Sequence, residues 1–256
     1  MYPAINTTAV LDAAVETLLS YDYSTMMAFK DMNIFHLIFE LVEDVRYLTD
    51  LADALQTQFL AWVIHFFVPY SQYLVVGGLR PVRVVIPNNY DSTVPAPLLI
   101  GVHGYSNTAE YFDNYFKIGP SAMKRGVVYA SINGYQNVEG LRFWNATDAC
   151  CDFYGTGVDD AAYIMSLIDE ISSKISIDQR MIYLVGHSNG NFMGFNFACR
   201  YSERLAGFMG LAGAMYKDFS KCNATHPVNM LHIHGTNDKT IAYDGGFIFF
   251  DEYPSA

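Results

Sequence analysis

Positive charge is scarce in this chain. Fifteen Lys and Arg stand against 26 Asp and Glu, which leaves a net charge of −11 at pH 7. A surface of that sign repels phosphates, so nucleic acid is excluded as a partner, and a protein acting on neutral material fits better. Charge of either sign is sparse, at 16% of residues, while 52% are hydrophobic, enough for a large core. Most of the excess acid falls in residues 1–70, which hold nine acidic and two basic side chains. No apolar run is long enough to span a bilayer. The most lipid-like stretch, FLAWVIHFFVPY at 59–70, contains His65 and falls short of the ~20 residues a spanning helix needs. The first residues, MYPAINTTAV, show neither the basic region nor the apolar stretch of an export leader. Repeats and low-complexity tracts are also lacking.

Cysteine is limited to Cys150, Cys151, Cys199 and Cys222, an even number that permits two disulfides in three connectivities. A bridge between the neighbours Cys150 and Cys151 strains the peptide, so each is expected to reach Cys199 or Cys222. Disulfides point to an oxidising, extracellular setting. Three N-x-T sequons, at Asn6, Asn145 and Asn223, agree with it. The histidines and cysteines lack the spacing of a metal site, and no glycine loop cradles a phosphate, so no metal or cofactor is expected.

What is present has two textures. Over residues 8–66, apolar positions such as Phe35, Ile38, Leu41, Val42, Val45 and Leu48 recur at helical spacing, and Pro69 closes the stretch. This predicts a helical N-terminal extension over 1–70. From Gln72 short apolar runs alternate with longer helical patterns. VRVVI around 83–86, then 97–103, 127–132, 181–186, 207–212 and 228–234, read as strands. Helices are predicted near 109–124, 159–175 and 190–203. That alternation over 71–256 predicts an α/β domain, a mostly parallel central sheet with helices on both faces.

Three segments carry chemistry. The strand MIYLVG runs into Gly186-His187-Ser188-Asn189-Gly190 and a helix follows, the G-x-S-x-G pattern in its strand-turn-helix setting. So tight a turn pushes the Ser188 hydroxyl out at the N-terminus of a helix, where negative charge is favoured. Acyl transfer also needs two N–H groups aimed at a developing oxyanion. Asn189, just after the nucleophile, is one candidate. Tyr105, in His103-Gly104-Tyr105 after an earlier strand, is the other, and its ring would line the mouth of the site. The third segment, His234-Gly235-Thr236-Asn237-Asp238, ends a later strand and puts Asp238 where the acid belongs in the order nucleophile, acid, histidine. No histidine follows Asp238 in the sequence. The earlier ones read as structural, with His234 the nearest to a substitute because it ends a strand beside the site.

With these residues in view, the chain resembles the polyhydroxybutyrate depolymerase and feruloyl esterase group of secreted α/β hydrolases. The likeness runs from residue 72 to about 246 and rests on FWNATDACCD, GHSNG and HIHGTND together. It implies Ser188 as nucleophile and Asp238 as acid, with the catalytic histidine in a C-terminal segment that this sequence does not include. It also implies paired cysteines, with bonds tying the Cys150-Cys151 loop to Cys199 and to Cys222. Asn191 departs from the pattern, since the family usually has a second glycine there, and residues 1–70 match nothing in it. The expected substrate is an ester, polymeric or hydroxycinnamoyl, with Tyr105, Trp144 and His187 lining its site. An inactive hydrolase-like binding protein and a serine peptidase on the same fold are the rival expectations.

Overall fold

The computed structural model describes residues 72–248 and 251–256, so the helical extension expected over 1–70 lies outside the described residues. The described part is built on a seven-stranded sheet. Its strands are β1 (Gln72–Val76), β2 (Val82–Ile86), β3 (Ala96–Val102), β4 (Val128–Ile132), β7 (Ile177–His187), β8 (Gly207–Leu211) and β9 (Asn229–Ile233). They lie in the order β1-β2-β4-β3-β7-β8-β9. From β4 to β9 every pair is parallel, while β2 meets both β1 and β4 antiparallel. The predicted strands are all present. The reading did not anticipate β1, nor the small hairpins β5 (Tyr135–Gln136) with β6 (Arg142–Phe143) and β10 (Gly246–Ile248) with β11 (Asp251–Tyr253).

Four helices connect the strands: α1 (Ala109–Phe116), α2 (Ile118–Lys124), α3 (Asp160–Lys174) and α4 (Asn189–Arg200). Two begin on side-chain caps legible in sequence: Thr108 accepts from Tyr111 N–H and Asp159 from Ala162 N–H. The single helix expected over 109–124 is broken in two. Lys117 adopts a left-handed conformation, φ 54°, and Asp113 caps Gly119 N–H with its side chain. Pro120 explains the break, because it has no N–H to continue the ladder from α1.

Strand register puts the helices on opposite faces. Val102, Gly186 and Gly210 are successive partners across β3, β7 and β8 and share one face. The α4 side chain Asn191 sits against Gly210 there, whereas Phe112 of α1 sits against Gly101, one residue out of phase. The α3/α4 face is the dry one. Leu98, Ile100, Val102, Ile182 and Leu184 are buried under Ile164, Ile168, Ile171 and Phe192. Each fully buried side chain of this size contributes about 1.5–3 kcal/mol. Towards β9 the opposite face is open, with Met209, Leu231 and Ile233 exposed. Among the described residues no helix is long and apolar enough to cross a membrane.

The cysteines pair differently from the expectation. Cys150 is bonded to Cys151, and Cys199 to Cys222. The reason is distance. Cys150 Sγ lies 3.6 Å from Asn189 Nδ2, in the first turn of α4. Cys199 is ten residues further along that helix, about 15 Å at 1.5 Å per residue, beyond the reach of any disulfide. Cys199 instead meets Cys222 in the segment leading to β9. The sequon at Asn145 is also internal, with its Nδ2 donating to Val158 O at 2.8 Å and Thr147 buried.

Closing the Cys199–Cys222 loop, 23 residues in separation, should contribute about 3 kcal/mol by restricting the unfolded chain. Replacing both cysteines by serine is therefore expected to lower the urea midpoint by that equivalent. An unchanged midpoint would show that the bond adds nothing to stability.

Candidate active site

The site is assembled at the C-terminal ends of β3, β7 and β9. Between β7 and α4 the chain reverses on one residue, Ser188, at φ 54° and ψ −123°. A non-glycine residue held there stores on the order of 1–3 kcal/mol of strain. Neighbouring backbone enforces it. A Cβ at Gly186 would collide with the Gly190 carbonyl, and one at Gly190 with the carbonyls of Val102 and His103. Only glycine allows α4 to approach β3 so closely. Ser188 N–H donates to Leu211 O at 2.8 Å, and Ser188 O accepts from Asn191 and Phe192 to start the helix. The side chain is partly exposed, as a nucleophile requires.

Gly104 brings the second loop against the serine. A Cβ on Gly104 would lie 3.3 Å from Ser188 Cβ and 3.4 Å from His187 Nδ1. The N–H groups of Tyr105 and Asn189 make no hydrogen bond among the described residues. Asn189 opens α4, where an N–H has no intrahelical acceptor. Both candidate oxyanion donors thus belong to residues beside Ser188. The Tyr105 ring packs edge-on to Phe153 at 5.3 Å, and its hydroxyl accepts from Asn137 Nδ2 at 3.2 Å. Burial, with Glu139 nearby, raises its pKa, so it stays a neutral phenol.

Asp238 stands in the loop after β9, two strands from the nucleophile. Its Oδ1 accepts from Thr240 N–H at 2.8 Å and Ile241 N–H at 3.1 Å. With Oδ1 engaged, Oδ2 is the atom left to receive an imidazole N–H. The nearest histidine, His234, has Nε2 3.7 Å from Oδ2 but gives its proton to Ile241 O at 2.7 Å, and its side chain is 2% exposed. It braces the acid loop from beneath. Among the described residues no histidine is hydrogen-bonded to Ser188 Oγ. His187 is half-buried with its ring on Phe116 at 5.5 Å. Burial lowers its pKa while the Asp238 charge opposes the shift.

Trp144, expected to line the substrate site, does not. It is fully buried, and its Nε1–H donates to His103 O at 2.9 Å. Asn191, which departs from the family pattern, fills a niche that Gly210 and Gly213 leave open; a Cβ on Gly213 would lie 2.7 Å from Asn191 Cβ. Its amide has no hydrogen-bond partner among the described residues. Sequence reasoning also missed His103 as more than a loop histidine. It is fully buried, with Nδ1–H donating to Gly104 O at 2.7 Å and Nε2 accepting from Gly134 N–H at 3.0 Å. The signal available was its place beside Gly104 at the end of an apolar strand.

The profile of a family described as phospholipase/carboxylesterase matches residues 155–249. Feruloyl esterase B of Piromyces equi is 29% identical over 170 residues, 65% of this chain and 31% of that one. The bifunctional acetylxylan esterase/xylanase XynS20E of Neocallimastix patriciarum is 26% identical over 65% of this chain and 22% of its own. A probable feruloyl esterase C of Aspergillus oryzae is 24% identical over 72% and 66%. The chain thus spans about a third of the length of the first of these relatives. Among solved structures, acetyl xylan esterase from Aspergillus awamori superposes with a TM-score of 0.52 at 17% identity, covering 68% of this chain and 75% of that one. The fold is that of the α/β hydrolases.

Burial holds His103 neutral, with its pKa lowered to about 4. A depressed folded-state value means the full contribution to stability is present above the unfolded value of ~6.5 and is lost as pH falls through 4, on the order of 3 kcal/mol in all. Urea unfolding measured from pH 7 to pH 4 is expected to show this loss in the parent and a shallower one in His103→Asn. Parallel pH slopes for the two proteins would remove His103 as the cause.

Proposed function

We propose that the chain carries the nucleophile, oxyanion hole and acid of a serine ester hydrolase. The supporting observation is the strained Ser188, partly exposed at the mouth of α4 with Gly104 and Tyr105 alongside. In this reading Ser188 Oγ attacks the ester carbonyl. The oxygen that becomes negative is received by the N–H groups of Tyr105 and Asn189, worth a few kcal/mol in a water-poor site. Collapse expels the alcohol and leaves an acyl group on Ser188, which water then releases. Asp238 Oδ2 holds the imidazole that takes the serine proton. That histidine is one the family resemblance puts further along the chain than Asp238.

The relatives' names favour esters on plant polysaccharides, feruloyl and acetyl, and the motifs shared with the depolymerase group add polyesters of short hydroxyacids. The acyl wall in this reading is the Tyr105 ring with Phe153 behind it, and the His187 ring lies against Gly104 next to the serine. Two disulfides fit an extracellular place of action.

The protein that carries this chain is expected to hydrolyse p-nitrophenyl acetate. Ser188→Ala should lower kcat by about 10⁴-fold or more, and Asp238→Asn by about 10³–10⁴-fold. Methyl ferulate compared with a hydroxybutyrate oligomer then separates the two ester classes. Turnover that survives Ser188→Ala would end the reading of Ser188 as nucleophile, and a parent with no turnover would leave a binding protein on a hydrolase fold.

A further inference from the structure

The two oxyanion donors sit on different elements, one in the loop after β3 and one at the start of α4. A buried chain of hydrogen bonds joins them. The Asn189 side chain grips the Trp144 backbone at both ends: Oδ1 accepts from Trp144 N–H at 2.7 Å and Nδ2 donates to Trp144 O at 2.9 Å. The Trp144 indole N–H then reaches His103 O at 2.9 Å, and the His103 ring reaches Gly104 O at 2.7 Å. His103, Trp144 and Asn189 are each 0% exposed, so water cannot substitute for any of these bonds.

One feature of peptide geometry gives the chain its purpose. Gly104 C=O and Tyr105 N–H belong to the same planar peptide, and in the trans form they point in opposite directions. Whatever fixes that carbonyl therefore aims that N–H. The His103 ring does so with Nδ1–H, and it is itself fixed from behind because Nε2 accepts from Gly134 N–H. Trp144 fixes the preceding peptide through His103 O. It is held in turn on its other side, where Asn145 N–H donates to the buried carboxylate of Asp160 at 2.8 Å. Asp160 is paired with Arg80 at 2.7 Å.

The geometry points to His103 and Trp144 as positioning residues that aim the Tyr105 N–H and tie it to the Asn189 N–H across the gap where the oxyanion forms. Neither touches substrate. The assignment rests on the esterase reading for its purpose, but not for its geometry. Misaiming a donor affects charge that develops only in the transition state, so kcat falls while KM holds.

The test compares His103→Leu, which has no donor, with His103→Asn, whose side-chain amide occupies the place of Nδ1–H, and with Trp144→Phe, which keeps the ring and loses the N–H. On p-nitrophenyl acetate, His103→Leu and Trp144→Phe are expected to lower kcat by about 10- to 100-fold, below the loss for removing a donor outright, with KM within about threefold. His103→Asn should recover much of the loss. Trp144→Phe combined with Asn189→Ala should cost less than the two single changes added, since both cut one chain. The second measurement needs no turnover: the backbone amide resonances of Tyr105 and Asn189 should both shift in Trp144→Phe. The proposal is overturned if His103→Asn and His103→Leu have equal kcat, if KM rather than kcat changes, or if neither amide moves. A parent without Ser188-dependent hydrolysis would sink the esterase reading alone, because the amide shifts would still decide whether Trp144 ties the two donors.

Discussion

Everything at the site depends on how closely the first turn of α4 approaches the end of β3. Gly190 lies against the carbonyls of Val102 and His103, so that any side chain there would force the helix away from the sheet. That contact goes with a positive φ at Ser188, which stays partly exposed, and Asn189 and Gly104 both lie beside it. The strain is local and small beside the burial of Leu98, Ile100, Ile182 and Leu184 below it, which anchors both strands. A stable core thus holds an unfavourable turn in place.

Electrostatics within the site are settled mostly by burial and hydrogen bonding. His103 is neutral because its ring is desolvated, and its two nitrogens have unlike partners that define which carries the proton. Asp238 has one oxygen engaged by its own loop, which sets the direction of the other. The ion pair of Arg80 with Asp160 lies away from the serine; it secures the segment after Trp144, and desolvation raises the Asp160 pKa against the opposing guanidinium.

The elbow was legible in sequence because it is written twice, in the glycine spacing and in the change from a strand to a helix pattern around it. The strand order could not be read, but the alternation of elements was enough for a mostly parallel sheet. The helix over 109–124 went wrong at a place where Pro120 offered the warning. Trp144 was misjudged because a tryptophan in a loop rich in Asn, Asp and Thr resembles a surface residue, and only coordinates reveal an acceptor for its indole. Cysteine pairing was illegible for a related reason. It depends on where the 150–151 loop folds along α4, and spacing in the chain carries no information about that. Asn191 shows compensation across elements: its bulk is accepted because Gly210 and Gly213, some twenty residues later, leave the space.

The Cys199–Cys222 bond has a mechanical meaning as well as a thermodynamic one. Ser188 heads α4 and Cys199 ends it; Cys222 leads into β9, and Asp238 follows that strand. The bond therefore clasps two levers at their feet, with the reacting groups at their tips. Sliding of the helix along the strand, the motion that would change the gap between hydroxyl and carboxylate, is opposed by a covalent closure at the far end of the sheet.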